Sequence, residues 1–453
     1  MLIEFLLQVF EQHGTQDAII WRDQAYSYDW LLEQVRNCQA TLAAQEIPRG
    51  VVSILEADFS PASVAMFLAL AEHAAVLVPL TSAVGAKKTE FIEIAQGEVV
   101  FGIGADDQTQ IQRLVTRADH EVYQCLRQRG HPGLVLFSSG STGKSKAAVH
   151  DLALLLEKFK VRRHSLRAIS FLLYDHIGGV NTMLYTLANA GCLVTVQRRD
   201  PDNVLAAVAR HRVELLPTSP TFLNLVLLSE AYKRHDLSSL KTITYGTEPM
   251  PEYTLTRFHE LFPQIHLQQT YGLSEVGILR SKSKSSDSLW VKLGGEGFQT
   301  RVVDGILQIK AQSAMLGYLN APSPFTVDGW LNTGDAVEVD GEYFRILGRK
   351  SELINVGGEK VFPVEVENTL QQMDGVANVT VYGERNPIMG QVVAARFQLE
   401  RPESLPQLRA RMRAYCQGKL APYKIPVRIE ISEADQVSPR VKKIRSVTPP
   451  IAP

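Results

Sequence analysis

Residues Leu134 to His150 read LVLFSSGSTGKSKAAVH, an apolar run that leads directly into a loop of small residues. LVLF is typical of a buried strand. The Ser-Ser-Gly-Ser-Thr-Gly-Lys that follows lets backbone N–H groups converge on an anion, and its hydroxyls add further donors. A glycine-rich turn with solvated hydroxyls is the alternative interpretation. Two hydroxyl pairs and two lysines within nine residues favour a phosphate-binding loop.

Two common phosphate-binding patterns do not fit this chain. A Walker-type loop needs a glycine six residues before its lysine, and Ser138 stands at that distance from Lys144. In a dinucleotide fingerprint a third glycine would follow Gly102 and Gly104, where this chain has Asp107. The sequence therefore argues against kinase, GTPase and dehydrogenase functions.

Helical and strand patterns alternate on both sides of the loop. VAMFLALAEHA is followed by AVLVPL, and VLAAVARHRV by ELLPTSP, which predicts α/β layers with buried, largely parallel strands. After about Ser281 the pattern changes to short strands with Asp-Gly turns, which predicts a small β lobe, and SKSKSSDS (281–288) is interpreted as a loop. From Ser351 onward the sequence predicts a third, compact unit.

The composition is that of an ordinary folded protein. Hydrophobic residues make up 45% and charged residues 21% of the 453 residues, and a net charge of −1 offers no basic field for nucleic acid. Four widely spaced cysteines without a C-x-x-C pair argue against disulfides and a zinc site, and favour the reducing cytoplasm. The longest apolar run, Ser63 to Leu80, is broken by Glu72 and His73, so we expect no membrane insertion.

The loop resembles the phosphate loop of the adenylate-forming superfamily, which comprises acyl- and aryl-CoA synthetases, amino-acid adenylation domains and luciferases. The family loop usually reads Y-T-S-G-T-T-G-x-P-K-G. The positions that match it in register, implied to bind ATP, are Phe137, Ser138, Ser139, Gly140, Ser141, Thr142, Gly143 and Lys146. Ser145 and Ala147 replace the family's proline and final glycine.

Two further segments, in the expected order, resemble the family's adenine site. TYGTEPM, Thr244 to Met250, resembles the segment whose backbone flanks the adenine, and QTYGLSE, Gln269 to Glu275, resembles the Y-G-x-T-E motif. The resemblance implies that Tyr271 stacks on the adenine and that Glu275 holds Mg²⁺, with Ser274 in place of the usual threonine. The implied ATP-binding residues of these segments are Gly246, Thr247, Glu248, Pro249, Tyr271, Gly272 and Ser274.

Ribose, hinge and lysine motifs complete the resemblance. Asp335 of TGD is implied to accept hydrogen bonds from both ribose hydroxyls, and Arg349 of GRK to reach the ribose or phosphates. Ser351 matches the hinge position. The final VSPRVKKIRS resembles the loop that carries a catalytic lysine. Lys443 fits that lysine best, and Lys442 is the alternative because the register is ambiguous by one.

The ordered motifs imply an α/β protein with two domains. Residues 1–350 would form a large N-terminal domain of layered α/β subdomains with a small β-barrel-like lobe. Residues 351–453 would form a small, mobile α+β C-terminal domain that carries the catalytic lysine. In the family that domain swings and brings in the loop after Arg349. Here this loop reads INVGGEKVFP, and Gly358 matches the position that borders the CoA pantetheine tunnel.

The segment FLLYDHIGGVNTM, 171–183, resembles the one that lines the family's acyl pocket. His176 is therefore the candidate pocket residue, with Tyr174 and Asn181 nearby, and a buried, hydrogen-bonded histidine is an equal alternative. Asp175 is expected to be an exposed turn residue, with pairing to a substrate amine as the alternative.

The resemblance implies an acid–thiol ligase that uses ATP and Mg²⁺ to adenylate a small-molecule carboxylic acid and passes the acyl group to CoA. The phosphopantetheine of an acyl carrier protein is an alternative acceptor. A non-catalytic nucleotide-binding homologue is the second alternative, because Ser145, Ala147, Ser274 and Ser351 depart from the family pattern. The motifs specify neither the acid nor the oligomeric state.

Overall fold

The computed structural model describes residues 2–139 and 145–432 together with Val441 and Lys443. The α-helices of this part of the chain are α1 (Glu4–Gln12), α2 (Tyr28–Ala44), α3 (Pro61–Glu72), α4 (Lys88–Ile94), α5 (Glu121–Arg129), α6 (Leu152–Leu156), α7 (Ile177–Ala188), α8 (Pro201–His211), α9 (Pro220–Ser229), α10 (Glu252–Leu261), α11 (Pro363–Leu370) and α12 (Leu405–Cys416). The strands are β1 (Asp17–Trp21), β2 (Gln24–Ser27), β3 (Val52–Glu56), β4 (Val76–Leu80), β5 (Val99–Ile103), β6 (Thr109–Arg113), β7 (Gly133–Ser139), β8 (Ser145–Asp151), β9 (Arg167–Ile169), β10 (Cys192–Val194), β11 (Leu215–Thr218), β12 (Thr242–Tyr245), β13 (His266–Gln269), β14 (Gly272–Leu273), β15 (Gly277–Ile278), β16 (Arg280–Ser283), β17 (Trp290–Gly294), β18 (Phe298–Val303), β19 (Ile306–Ala311), β20 (Gly317–Tyr318), β21 (Leu331–Asp340), β22 (Tyr343–Arg349), β23 (Ile354–Val356), β24 (Glu359–Val361), β25 (Val376–Asn386), β26 (Gly390–Leu399) and β27 (Arg428–Ile431).

Two seven-stranded sheets form most of the N-terminal part. The first sheet has the strand order β13-β12-β11-β9-β10-β1-β2, and the second has the order β20-β8-β7-β4-β3-β5-β6. The inner strands of both sheets are parallel, and antiparallel strands join at the margins. The expected layered α/β architecture with largely parallel strands is confirmed.

The longest apolar run forms a buried helix followed by a buried strand, as expected. Helix α3 begins after the N-cap residue Ser60, and every residue of β4 is buried. Helix α3 is apolar on all sides because it lies inside the largest hydrophobic core, together with residues of α1, α2 and α7. No helix among the described residues is long and apolar enough to cross a membrane.

The expected β lobe is a six-stranded antiparallel sheet with the order β16-β17-β22-β21-β19-β18. Asp340 and Gly341 lead into the predicted turn between β21 and β22. The loop interpretation of 281–288 is wrong in its first part, because residues 281–283 belong to β16. Lys282 pairs there with Lys292 of β17. The polar composition of this segment reflects an edge strand.

The C-terminal unit has its own five-stranded sheet and hydrophobic core. Strands β23 to β26 pair antiparallel, β27 joins β26 in parallel, and α11 and α12 contribute buried side chains to the same core. A short 3₁₀ turn, Lys350–Glu352, connects this unit to β22.

Candidate functional site

The phosphate loop connects the two strands of a hairpin in the second sheet. Ser138 of β7 pairs with Lys146 of β8. Because β7 runs parallel to β4, the loop follows the carboxyl end of a parallel strand, where open α/β sheets bind ligands. The remaining predicted loop residues, Gly140, Ser141, Thr142 and Gly143, lie outside the described residues.

A later segment of the chain fixes the strand that leaves the loop. Strand β20 pairs with β8 opposite Ala148 and Val149. Oδ1 of Asn320 accepts a hydrogen bond from the Ala147 N–H at 3.0 Å, and its Nδ2 donates to the Ser145 carbonyl at 2.8 Å. These bonds satisfy backbone groups at the two positions where the sequence departs from the family pattern.

Tyr318, in the same short strand, contacts the two predicted charged groups of the site. Its hydroxyl donates to Oε1 of Glu275 at 2.5 Å, and Nζ of Lys146 lies 5.3 Å from the centre of its ring. Burial and the neighbouring Glu275 raise the pKa of Tyr318 above its ordinary value, so the phenol stays protonated and donates. The predicted metal ligand and the predicted phosphate cation therefore meet at one side chain.

His150 ties the end of β8 to the residue directly before Glu275. The ring is fully buried, and its Nε2 donates to the Ser274 carbonyl at 2.5 Å. Burial lowers the pKa of His150, so the ring is neutral at pH 7.

The donors around Glu275 fit a magnesium ion that is held jointly with phosphates. Among the described residues no group of three or more His, Cys, Asp or Glu side chains is arranged to hold a metal ion. Mg²⁺ typically binds one or two carboxylates and completes its shell with phosphate oxygens and water. Glu275 is the side chain that would hold such an ion here.

The predicted ribose and adenine residues contact one another. The Tyr271 hydroxyl donates to Oδ2 of Asp335 at 2.5 Å, and Nε of Arg349 lies 3.4 Å from Oδ1 of Asp335. The Asp335 N–H donates to Oγ1 of Thr333 at 3.0 Å. Burial raises the pKa of Asp335, while the Tyr271 hydrogen bond and the charge of Arg349 oppose that rise. The carboxylate is thus held by Tyr271 and Arg349, and the Asp335 backbone by Thr333.

Parallel pairing brings the two predicted adenine segments together. Tyr245 at the end of β12 pairs with Gln269 at the end of β13, so the segments that follow start side by side. A Cβ on Gly246 would lie 2.8 Å from the Thr270 carbonyl oxygen, which leaves room only for glycine. Thr247 has a positive φ of 74°. Predicted residues 246–249 and 271–275 therefore form one edge of the site.

The amine of Lys443 points into the C-terminal sheet. Its Nζ lies 3.3 Å from Oε2 of Glu367 on α11 and donates to the Val379 carbonyl of β25 at 2.8 Å. The two charged side chains are only 9% and 2% exposed. Lys443 is therefore bound to Glu367 in this arrangement. The alternative residue, Lys442, lies outside the described residues.

The backbone beside Lys443 binds the N-terminal part of the chain. The Lys443 N–H donates to Oε2 of Glu248 at 3.2 Å, and the Val441 carbonyl accepts from Oγ of Ser219 at 2.6 Å. Oε1 of Glu248 accepts from the Thr221 N–H at 2.9 Å. Glu248, predicted only to flank the adenine, thus links the C-terminal segment to the start of α9.

Tyr174 and Asp175 lie in a buried turn. The Tyr174 hydroxyl donates to the Ala57 carbonyl at 2.7 Å and its ring packs edge to face on Phe59. The Tyr174 side chain is therefore held by packing and by this hydrogen bond. The expectation of an exposed Asp175 is wrong: it is 3% exposed, and its Oδ2 accepts from Oγ1 of Thr81 at 2.8 Å.

His176 and Asn181 lie on α7, the first as its N-cap. Nδ1 of His176 accepts from the Gly178 N–H at 3.1 Å, so one ring nitrogen has a structural role. Oδ1 of Asn181 accepts from Nζ of Lys158 at 2.6 Å. Lys158 also donates to the Ile278 carbonyl at 3.2 Å. It thus joins α7 to the β14–β15 hairpin, which contains Glu275.

The predicted hinge and tunnel residues lie on exposed connections. Ser351 is exposed in the turn between β22 and β23. Gly357 and Gly358 connect β23 to β24 with φ values of 59° and 98°. A two-residue hairpin turn of this kind needs positive φ at both positions. A Cβ on Gly358 would meet no atom within 4 Å, so the turn conformation accounts for this glycine.

Four side chains of the site were not among the predicted residues: His150, Lys158, Tyr318 and Asn320. One signal was available for Lys158, a charged residue beside the apolar run LALLL. Tyr318 and Asn320 act through pairing with a strand some 170 positions earlier, as the separation of Asn320 from Ser145 shows. Local sequence patterns carry no trace of that pairing.

Comparison with known proteins adds an independent observation. Residues 6–304 match the family model described as AMP-binding enzyme, and residues 365–440 match the one described as AMP-binding enzyme C-terminal domain. The chain is 29% identical to the indoleacetate–CoA ligase of Aromatoleum aromaticum over 65% of this chain and 62% of that protein. The match thus spans less than two thirds of that relative. This chain is also 24% identical to the long-chain-fatty-acid–CoA ligase FadD13 of Mycobacterium tuberculosis, over 94% of this chain and 93% of that protein.

Solved structures share the fold. The anthranilate CoA ligase AuaEII in complex with anthranoyl-AMP superimposes with a TM-score of 0.80 at 19% identity, covering 97% of this chain and 95% of that one. The o-succinylbenzoate CoA synthetase of Bacillus subtilis gives a TM-score of 0.76 at 20% identity, covering 97% and 96%. At these identities the likeness shows a large N-terminal part and a small C-terminal part of the same fold.

Replacing Tyr318 with phenylalanine removes the hydroxyl on Glu275 and keeps the ring beside Lys146. Because a hydrogen bond to a charged group contributes about 1.5–3 kcal/mol, we expect Mg²⁺-dependent ATP affinity to fall about tenfold or more. Calorimetric titration of ATP with and without Mg²⁺ measures this. Tyr343→Phe, in strand β22 of the β lobe, is the matched control. An unchanged Mg²⁺-dependent affinity in Tyr318→Phe would reject the positioning role of the hydroxyl.

His150→Gln tests the buried neutral ring. The folded state binds the imidazole proton less readily than the unfolded state, so stability is lost as the pH falls below about 6.5, by up to ~1.4 kcal/mol per pH unit. Glutamine retains a donor for Ser274 but does not titrate, so we expect a shallower loss between pH 7 and 5.5. Denaturant unfolding measures it, with the exposed His164→Gln as control. The same pH slope in His150→Gln and the wild type would contradict this account.

Proposed function

Because this chain belongs to the AMP-binding enzyme family, we propose that it activates a carboxylic acid with ATP as an acyl adenylate and transfers the acyl group to the thiol of CoA. Family membership rests on the model match to residues 6–304. The relatives named above as CoA ligases support the choice of acceptor. No acid is assigned by these relatives, whose named substrates differ.

Activation is needed because a free carboxylate would have to expel oxide. A carboxylate oxygen instead attacks the α-phosphorus of ATP, the bond to the β-phosphate oxygen breaks, and pyrophosphate leaves. The attack brings two anions together, so cations must offset their repulsion. Lys146 beside the loop is suited to this task. Mg²⁺ held by Glu275 would offset further phosphate charge.

The residues proposed to orient the nucleotide are held in position by contacts within the protein. Asp335 accepts from Tyr271 and lies beside Arg349, so its position is set before a ribose arrives. A carboxylate accepts two hydrogen bonds from a vicinal diol, and arginine keeps its charge near phosphates. We therefore assign the ribose to Asp335 and Arg349, and the adenine to the edge formed by 246–249 and Tyr271.

Thioester formation requires the thiol to attack the acyl carbonyl and AMP to leave. We propose that the C-terminal domain, 351–453, turns about Ser351 for this step and presents the Gly357–Gly358 turn to the pantetheine of CoA. Exposure of both connections supports the proposal. The free cysteines among the described residues fit a reducing compartment, and we propose the cytoplasm.

The observation that carries the proposal is the contact of Tyr318 with both Glu275 and Lys146. It joins the carboxylate suited to a metal with the cation suited to a phosphate at the exit of the loop. A loop used only as a structural turn would not need either charge.

The nucleotide product distinguishes the proposed reaction from other uses of ATP. Incubation with ATP, Mg²⁺, CoA and aryl, short-chain, long-chain and amino acids is expected to yield AMP and pyrophosphate only when an accepted acid is present. Chromatography of the nucleotides measures this, and omission of the acid is the control. ADP as the sole product would contradict the mechanism. Greater thioester formation with a phosphopantetheinylated carrier protein than with free CoA would identify the carrier as acceptor.

We assign the bridge between the acid and the α-phosphate to Lys443, which must leave Glu367 to make it. Lys443→Ala is expected to abolish acid-dependent pyrophosphate release, by about 100-fold or more, with ATP binding retained. Glu367→Gln is the matched control, since it breaks the same ion pair but keeps the lysine, and it should retain adenylation. Unchanged release in Lys443→Ala, with loss in Lys442→Ala, would move the role to Lys442.

A further inference from the structure

Lys158 is half-buried and donates to two neutral groups. It lies in the 3₁₀ turn Glu157–Phe159, and its Nζ donates to Oδ1 of Asn181 at 2.6 Å and to the Ile278 carbonyl at 3.2 Å. The ring of Phe159 lies 5.0 Å from the same nitrogen. An ammonium group carries three N–H donors, and these two acceptors bear no charge.

A nearby carboxylate is used by a different lysine. Lys160, two residues later, is exposed and pairs with Glu157 at 2.5 Å. Among the residues that the structure describes, no carboxylate lies within 4.0 Å of the Lys158 amine. The turn thus has one lysine with an anionic partner and one without.

A half-buried cation without a counter-ion loses part of its hydration, and an apolar side chain would avoid that penalty. Burial, and to a smaller extent the charge of Arg163, lowers the pKa of Lys158 to about 8. The amine is still mainly protonated at pH 7. An anion beside it would favour the charged form and remove much of the penalty.

The Lys158 amine contacts the two segments between which the proposed function places the acid. Ile278 pairs with Gly272 in the β14–β15 hairpin, and Glu275 lies between these strands. Asn181 follows the N-cap residue His176 by five positions, about 7.5 Å along α7. Lys158 therefore bridges the segment assigned to the adenylate and the segment assigned to the acid.

We infer that Lys158 is a specificity-determining residue that binds a second acceptor group, a second carboxylate above all, on the acid that is activated. The inference rests on the proposed function, because it places the acid between α7 and the hairpin. Asn181 holds the amine in position, and the second carboxylate supplies the charge that the protein does not. The substrate class is then a dicarboxylic acid, of which one carboxylate is activated and the other is bound.

The test compares matched acids on the full chain. Terephthalate and adipate carry a second carboxylate, and 4-methylbenzoate and hexanoate replace it with a methyl group. Calorimetric titration gives the affinity for each acid, and pyrophosphate release gives kcat/KM. The variants are Lys158→Met, of similar length without charge, and Lys160→Met as the control. Thermal unfolding checks that Lys158→Met folds, which we expect because it removes a half-buried charge that has no ionic partner among the described residues.

The wild type should bind at least one diacid about tenfold or more tightly than its methyl counterpart. Lys158→Met should bring the affinities for the two acids of each pair within about twofold of one another, while Lys160→Met keeps the preference. Equal affinity for both acids of each pair in the wild type, or a preference retained in Lys158→Met, would overturn the inference. A Lys158-dependent preference without pyrophosphate release would uphold this site and reject the proposed activation. Pyrophosphate release with relative kcat/KM values unaffected by Lys158→Met would uphold the proposed activation and reject this site.

Discussion

The hydrogen bond between Tyr318 and Glu275 is the contact on which the candidate site depends. Strand β20 pairs with β8, and this pairing brings the Tyr318 hydroxyl to Glu275 and the Asn320 amide to the loop exit. The pairing thus fixes the strand that leaves the predicted phosphate loop relative to Glu275 and Lys146. Asn320 also holds the backbone groups of residues 145 and 147, where the family loop usually has proline and glycine.

The edge formed by residues 246–249 and 271–275 depends on a second junction, between the first sheet and the sheet of the β lobe. Tyr271 follows β13 of the first sheet, and Asp335 belongs to β21 of the β lobe, so their hydrogen bond holds the predicted adenine residue and the predicted ribose residue together. The C-terminal segment reaches this edge through Glu248, yet directs the Lys443 amine to Glu367. Under the proposed mechanism, exchange of Glu367 for an acid and a phosphate accompanies movement of the C-terminal domain. Breaking a buried ion pair is costly unless such replacement partners are present.

Much of the fold followed from the sequence because its signals are local. Buried helices and parallel strands leave continuous apolar runs, as between Ser63 and Leu80, and Asp340 with Gly341 marks a hairpin. Tyr271, Glu275 and Asp335 were predicted as site residues from the resemblance of their motifs to those of the family, and that resemblance did not predict their contacts. Asp175 was wrongly expected to be exposed because burial of a turn depends on packing between sheets. Tyr318, Asn320 and His150 act through long-range pairing, which single-sequence patterns do not encode.

We propose that the two seven-stranded sheets and the sheet of the β lobe together form one binding site for ATP around the Tyr318–Glu275 contact. A crystal structure of the full chain with ATP and Mg²⁺ tests it most directly. We predict phosphates at the loop 140–144, a metal ion on Glu275 with the Tyr318 hydrogen bond retained, and the ribose hydroxyls on Asp335. A nucleotide bound away from Asp335 and Glu275, or a metal ion held by other side chains, would contradict the account.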